Sequence, residues 1–142
     1  MQVVRILLVD DFLPWQRFIL NDFESIPDLE IVGLACDGLE AVQKAKDLLP
    51  DLILLDVSLP WMNGFEAARQ IRTLSPNSKI LFLSEHRGAD LVQAAFEAGG
   101  SGYVLKSDAG SDLVEGVRAV LLNQRFLSRN LKNLPDLAGT WE

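Results

Sequence analysis

An α/β domain with a parallel sheet covered by helices on both faces is the fold this sequence predicts, from three observations. Five short segments are apolar almost throughout instead of alternating, the pattern of strands buried on both sides. The segments between them carry apolar residues at spacings of three and four, which one face of a helix can bury. Turn residues punctuate the junctions. Strands and helices that alternate in this way imply parallel strands joined by right-handed crossovers.

The first strand is expected over 3–9 and leads into a helix over 12–26, with Trp15, Phe18, Ile19, Phe23 and Ile26 on its stripe. Pro27-Asp28 turns the chain into the second strand, 29–34. The helix over 38–49 presents Val42, Ala45, Leu48 and Leu49, and Pro50-Asp51 precedes the third strand, 52–55. Asn63-Gly64 opens a helix over 65–74 that carries Phe65, Ala68, Ile71 and Leu74, and Pro76-Asn77 closes it. The fourth strand, 80–83, is followed by a helix over 89–98 with Leu91, Val92, Ala95 and Phe96, and Gly99-Gly100 supplies its C-terminal cap. The fifth strand, 103–105, leads to the last helix, 109–122, with Leu113, Val114, Val117, Val120 and Leu121. From 127 onward the pattern dissolves. One domain over 1–126 with a tail or truncated linker over 127–142 is the expected organisation.

Composition agrees with a single globular domain. The chain has 142 residues, of which 49% are apolar and 23% charged, which excludes a disordered chain. Its formal charge is −7, from 20 acids against 13 bases, so nucleic acid binding by this chain itself is not expected. No apolar run approaches the roughly 20 residues of a membrane span, and no membrane association is expected. The N-terminus lacks the charged region and cleavage site of a signal peptide. A single cysteine, Cys36, reads as a small buried hydrophobe. Together these point to a cytoplasmic location.

In an open parallel sheet ligands gather at the carboxyl ends of the strands. The first strand runs into Asp10-Asp11, the third into Asp56, the fourth into Ser84 and the fifth into Lys106. Each residue alone has a plain structural reading; Asp11, for instance, is a good helix N-cap. The joint pattern does not. Carboxylates converging on one crevice repel by roughly 4 kcal/mol for a pair about 4 Å apart at an effective dielectric near 20. A raised pKa or a bound cation must offset this. Oxygen ligands without His or Cys at metal spacing favour Mg²⁺. A carboxylate held beside Mg²⁺ and the Lys106 ammonium can attack a phosphoryl group and become an acyl phosphate, and Ser84 is placed to hydrogen-bond a phosphoryl oxygen.

These residues, with the strings Ile6-Leu7-Leu8-Val9-Asp10-Asp11, Asp56-Val57-Ser58-Leu59-Pro60-Trp61-Met62-Asn63-Gly64 and Gly102-Tyr103-Val104-Leu105-Lys106, resemble the receiver domain of bacterial two-component response regulators over about residues 3–126. The resemblance implies a doubly wound, flavodoxin-like fold of five parallel strands in the order 2-1-3-4-5. It implies Asp56 as phosphoacceptor, Asp10 and Asp11 with Asp56 and the Ser58 backbone carbonyl as Mg²⁺ ligands, and Lys106 as the lysine that pairs with the phosphoryl group. Ser84 and Tyr103 match the switch pair, while Pro60 and Gly64 match the turn residues behind Asp56. Ser58 and His86 occupy the positions that tune acyl-phosphate hydrolysis, and Glu85 stands where the family has a small residue, at the entrance to the site.

The same resemblance implies a sensor histidine kinase as partner, a response over the surface 84–122, and homodimerisation on phosphorylation as an open outcome. In a branch of relatives the first and fifth helices form a competing interface. The Lys106-Ser107-Asp108-Ala109 and Asn123-Gln124-Arg125-Phe126-Leu127-Ser128 strings are similar to the branch with a C-terminal helix-turn-helix, so DNA is expected only through a domain outside this chain. Such a protein catalyses its own phosphoryl transfer and dephosphorylation and is otherwise no enzyme. Other readings remain: a pseudo-receiver acting as an interaction module, an aspartate-nucleophile phosphatase, whose second Asp is here Ser58, and a nucleotide binder, whose glycine loop is absent after the first strand. Trp15 is expected to pack the first helix, Trp61 to sit in the loop after Asp56 with an exposed partner contact as the minority reading, and Trp141 to lie in the tail.

Overall fold

A computed structural model of the protein describes residues 2–131. Strands β1 (Val4–Val9), β2 (Leu29–Ala35), β3 (Leu52–Asp56), β4 (Lys79–Ser84) and β5 (Gly102–Leu105) alternate with helices α1 (Leu13–Glu24), α2 (Gly38–Leu48), α3 (Gly64–Leu74), α4 (Ala89–Glu97) and α5 (Ala109–Leu121). A short β6 (Phe126–Leu127) follows. The strands are parallel and lie in the order β2-β1-β3-β4-β5-β6. The expected order is therefore present, with a sixth strand added at the β5 edge.

The pleat of each central strand divides its side chains between two cores. Leu7, Val9, Ile53, Leu55, Phe82 and Tyr103 meet α2, α3 and α4 on one face. Ile6, Leu8, Leu52, Leu54, Leu81, Leu83 and Val104 meet α1 and α5 on the other. Both faces are covered, which is why the sequence shows apolar runs without alternation.

Two glycines are required by the backbone. Gly99 has φ +112°, and its N–H and that of Gly100 turn back to the carbonyls of Phe96 and Ala95, a Schellman closure of α4. Gly64 begins α3 against the end of β3, where an added Cβ would stand 2.2 Å from the Asp56 carbonyl oxygen. This close approach lets the loop 57–63 fold back beside Asp56.

Residues 127–131, expected to open a tail, are packed. The Phe126 and Ser128 N–H groups continue the ladder to the carbonyls of Ser101 and Tyr103, and Leu127, Ser128 and Leu131 are buried. Residues 132–142, Trp141 among them, lie outside the described residues. Cys36 is exposed and so is not the buried hydrophobe expected. It follows the end of the edge strand β2, where no neighbouring strand covers it, and its N–H donates to Glu40 Oε1 at 2.7 Å. Trp15 stacks on Phe18 as expected for a packing residue, and Trp61 is 85% exposed with φ 69°.

Candidate functional site

Because the strands run parallel, their carboxyl ends share one rim. Val9 of β1 lies opposite Leu55, Asp56 of β3 opposite Leu83, and Ser84 of β4 opposite Leu105. The register therefore delivers Asp10, Asp56, Ser84 and Lys106 to neighbouring positions. A cleft of about 350 Å³ opens there, lined by Asp11, Asp56, Ser58, Glu85, His86 and Lys106, with Phe12 at its edge.

Asp10 is fully buried. Its Oδ1 accepts the Phe12 N–H at 2.9 Å, and its Oδ2 faces Lys106 Nζ at 2.7 Å. The Lys106 ammonium is the one group that meets Asp10 Oδ2 among the described residues. Asp11 is exposed and does not cap α1; the N-cap is Phe12 without a side-chain bond, which leaves the Asp11 carboxylate free to face the cleft. Asp56 Oδ1 accepts the Ser58 N–H at 3.2 Å, and Oδ2 stands 3.3 Å from Lys106 Nζ. Burial and the neighbouring Asp10 push the Asp56 carboxyl up to about 6, against the pull of Lys106. Burial also works against the Lys106 ammonium, but Asp10 and Asp56 outweigh it and hold its pKa above the usual lysine value.

The remaining sequence-nominated residues meet at the loop after β4. Ser84 and Tyr103 are both fully buried. Ser84 Oγ accepts the His86 N–H at 3.0 Å, and the Tyr103 hydroxyl donates to the His86 carbonyl at 2.8 Å. Burial raises the Tyr103 pKa, with the Ser84 hydroxyl pulling the other way. The His86 ring is exposed, yet its Nε2 lies 3.0 Å from Ser58 Oγ, so it ties the loop after β3 to the loop after β4. Glu85 is exposed at the cleft and makes no ion pair, with Arg87 or otherwise, among the described residues.

Two supporting residues were not singled out from sequence as site residues. Gln16 is buried, and its Nε2 donates to the Asp10 carbonyl at 2.6 Å and the Ala35 carbonyl at 3.3 Å, pinning the end of β1 to β2. Its signal was available, since Gln16 stands three before Ile19 and seven before Phe23 on the buried stripe of α1. Trp15, read only as packing, places its ring centroid 5.4 Å from Lys106 Nζ.

Asp10, Asp11 and Asp56 each offer a carboxylate oxygen within 4.8 Å of the others. Three carboxylates converging this closely, with donors that are all oxygen, fit a hard divalent cation such as Mg²⁺.

Residues 6–118 match the family description of the response regulator receiver domain. The chain is similar to the chemotaxis protein CheY of Thermotoga maritima, 35% identical over 116 residues that cover 82% of this chain and 96% of that protein. It is equally similar, 35% over 117 residues, to the transcriptional regulatory protein LiaR of Bacillus subtilis, but spans only 56% of LiaR's length. Among solved structures, a LuxR-family two-component response regulator from Aurantimonas sp. SI85-9A1 superposes with a TM-score of 0.87 at 35% identity, covering 92% of this chain and 93% of that one. With the fold, the acidic rim and these relatives in agreement, the chain belongs to the response regulator receiver family.

Proposed function

We propose that the chain is a phosphorylation-operated signalling switch in which Asp56 accepts a phosphoryl group from a sensor histidine kinase. The observation that carries this is the Lys106 ammonium between two buried carboxylates, 2.7 Å from Asp10 and 3.3 Å from Asp56, with Asp11 across the same cleft. Asp10, Asp11, Asp56 and the Ser58 carbonyl would hold Mg²⁺. When bound, the ion neutralises charge on the transferring phosphoryl oxygens.

The chain's own residues do the rest. An Asp56 oxygen forms the new bond to phosphorus as the bond to the donor nitrogen breaks. Lys106, already paired with Asp56, follows the added charge. The Ser84 hydroxyl accepts from His86 through its oxygen, so its hydrogen is available to a phosphoryl oxygen. A Ser84 that turns toward the phosphoryl group loosens the His86 N–H, and with it the loop that the Tyr103 hydroxyl also holds. The surface 84–122 is thereby biased between two arrangements.

Several finer statements belong to this reading. The protein works in the cytoplasm and catalyses only its own phosphorylation and dephosphorylation. Homodimerisation follows phosphorylation in this reading. The output is transcription through a further domain, as the transcriptional regulatory protein LiaR and the LuxR-family regulator suggest. DNA is not contacted by this chain itself.

The test is incubation with acetyl phosphate or beryllofluoride and Mg²⁺, read by mass spectrometry and by NMR. Mg²⁺-dependent modification of Asp56, absent in Asp56→Asn, is expected. An unmodified wild type would favour the pseudo-receiver, and multiple turnover of a phosphomonoester would favour the phosphatase.

A further inference from the structure

We propose that the segment after α5, residues 126–131, is a clasp that sets the position of Lys106 for phosphoryl acceptance, with Ser128 and Asn130 as positioning residues. The proposal rests on the switch reading of Asp56 and Lys106. What points to it is that one short segment holds the backbone on both sides of Lys106.

Lys106 opens the 3-10 turn Lys106–Asp108 that joins β5 to α5. On its N-terminal side, the Leu105 N–H donates to Ser128 Oγ at 3.0 Å, and the Ser128 N–H returns to the Tyr103 carbonyl at 3.0 Å. On its C-terminal side, Asp108 Oδ2 accepts the Asn130 N–H at 3.3 Å, and Asp108 Oδ1 accepts from the Asn130 side-chain amide. One helical turn further on, Asp112 accepts the Arg129 N–H at 2.8 Å and Arg129 Nε at 2.9 Å. The clasp is thus three consecutive residues, Ser128, Arg129 and Asn130, each bonded to a different point around the lysine turn.

These bonds are not incidental surface contacts. Ser128 is fully buried, and Asp108 and Asp112 are 5% and 2% exposed. Buried polar groups need partners, and the segment that follows α5 supplies them to Asp108 and, together with the Ser111 hydroxyl, to Asp112. β5 has only four residues and would otherwise end as an open edge just before Lys106. The lysine reaches two carboxylates at different distances, 2.7 Å for Asp10 and 3.3 Å for Asp56. A shift of the turn by a fraction of an ångström changes which of them it serves. Placement of this kind governs rate, because misplacing a reacting group by about 1 Å can cost on the order of a hundredfold.

Coupling is reciprocal. If the clasp places Lys106, then a change at Asp56 that moves Lys106 is felt at 128–130 as well as over the surface 84–122.

The experiment compares wild type, Ser128→Ala and Asn130→Ala. Asp56 phosphorylation by acetyl phosphate is followed by mass spectrometry, and Mg²⁺ binding by tryptophan fluorescence, Trp15 lying beside Lys106. The expected result is a rate constant roughly tenfold lower in Ser128→Ala and several-fold lower in Asn130→Ala, with the Mg²⁺ dissociation constant within about twofold of wild type. Adding beryllofluoride and Mg²⁺ to the wild type should shift the amide resonances of Leu105, Arg129 and Asn130.

Rate constants within about twofold of wild type would overturn the proposal. So would rate and Mg²⁺ affinity falling in step, which is the mark of general loosening. Asn130 is exposed, so its variant decides the matter should Ser128→Ala not fold. A wild type that takes no phosphoryl group refutes the switch reading itself, an outcome distinct from a reactive wild type with equally reactive variants.

Discussion

At the scale of single residues, Asp56 sits where its own ionisation is opposed. Its pKa is raised from 3.8 to about 6, by burial first and by Asp10 second. Between these two values the folded protein binds more protons than the unfolded chain, so stability falls as pH rises from about 4 to about 6 and stays reduced above. Two pKa units correspond to about 3 kcal/mol. Asp56→Asn should therefore raise metal-free stability at pH 7 by about 2–3 kcal/mol, and the gain should vanish near pH 3. Urea unfolding at the two pH values measures both. Equal stability at pH 7 would mean that the carboxylate is not penalised. Glu85 is exposed at the cleft and without an ion pair among the described residues, so repulsion of an anionic phosphodonor by its carboxylate is open to test. Glu85→Ala should speed phosphorylation by acetyl phosphate about two- to fivefold at low salt, the size of one screened surface charge interaction, and the difference should shrink as salt is added.

At the scale of elements, the strands were legible because parallel sheets leave continuous apolar runs. The expected 29–34, 52–55 and 80–83 became Leu29–Ala35, Leu52–Asp56 and Lys79–Ser84. β6 was not legible. A two-residue strand has no period, and Ser128, Arg129 and Asn130 read as polar tail because their partners stand 17 to 25 positions earlier in the chain. Cys36 was misread although the implied order already puts β2 at an edge, because its apolar side chain was weighed without its place just past the end of that strand. Gly99 is the converse, a cap visible in sequence and required by φ +112°. An added Cβ there would meet only the exposed Arg72 side chain, which can swing away, so Gly99→Ala should cost about the roughly 1 kcal/mol of the backbone term, measured by chemical unfolding. The clasp gives a second element-scale expectation. Burial pushes the Asp112 carboxyl up, but the Arg129 backbone and guanidinium with the Ser111 hydroxyl outweigh it and leave the group below the usual carboxylate range. A carboxylate held low contributes stability that is present above about pH 4 and lost as pH falls through its folded value. Arg129→Ala should lower stability at pH 7 and lower it less at pH 3, measured by urea unfolding at the two pH values.

At the scale of the whole molecule, the site was legible as a set and not as single residues. No one of Asp10, Asp11, Asp56, Ser84 and Lys106 is diagnostic, but a parallel sheet obliges residues at strand ends to share a rim, and the structure brings these five to it. What sequence withheld is the wiring between them. The bonds of His86 to Ser84, Tyr103 and Ser58, and the Lys106–Trp15 contact, depend on loop paths that periodicity does not encode. The same convergence has a consequence for the molecule's stability. The chain carries −7 overall, and three of its carboxylates stand within 4.8 Å of one another around a single lysine. An ion that binds this arrangement binds only the folded state, because the unfolded chain scatters the ligands. Stability then rises with free Mg²⁺ as RT ln(1 + [Mg²⁺]/Kd), about 2.7 kcal/mol at a hundred times Kd. For a domain of this size that is a rise in Tm of roughly 5–15 °C. Screening of the net negative charge would also raise Tm, but any salt supplies it and no particular residue is needed. Thermal unfolding of wild type and Asp11→Asn in MgCl₂ and in NaCl of matched ionic strength separates the two. The expected outcome is a rise specific to MgCl₂ in wild type and most of it lost in Asp11→Asn. An equal rise in both salts would assign the effect to screening and leave the acidic rim without its cation.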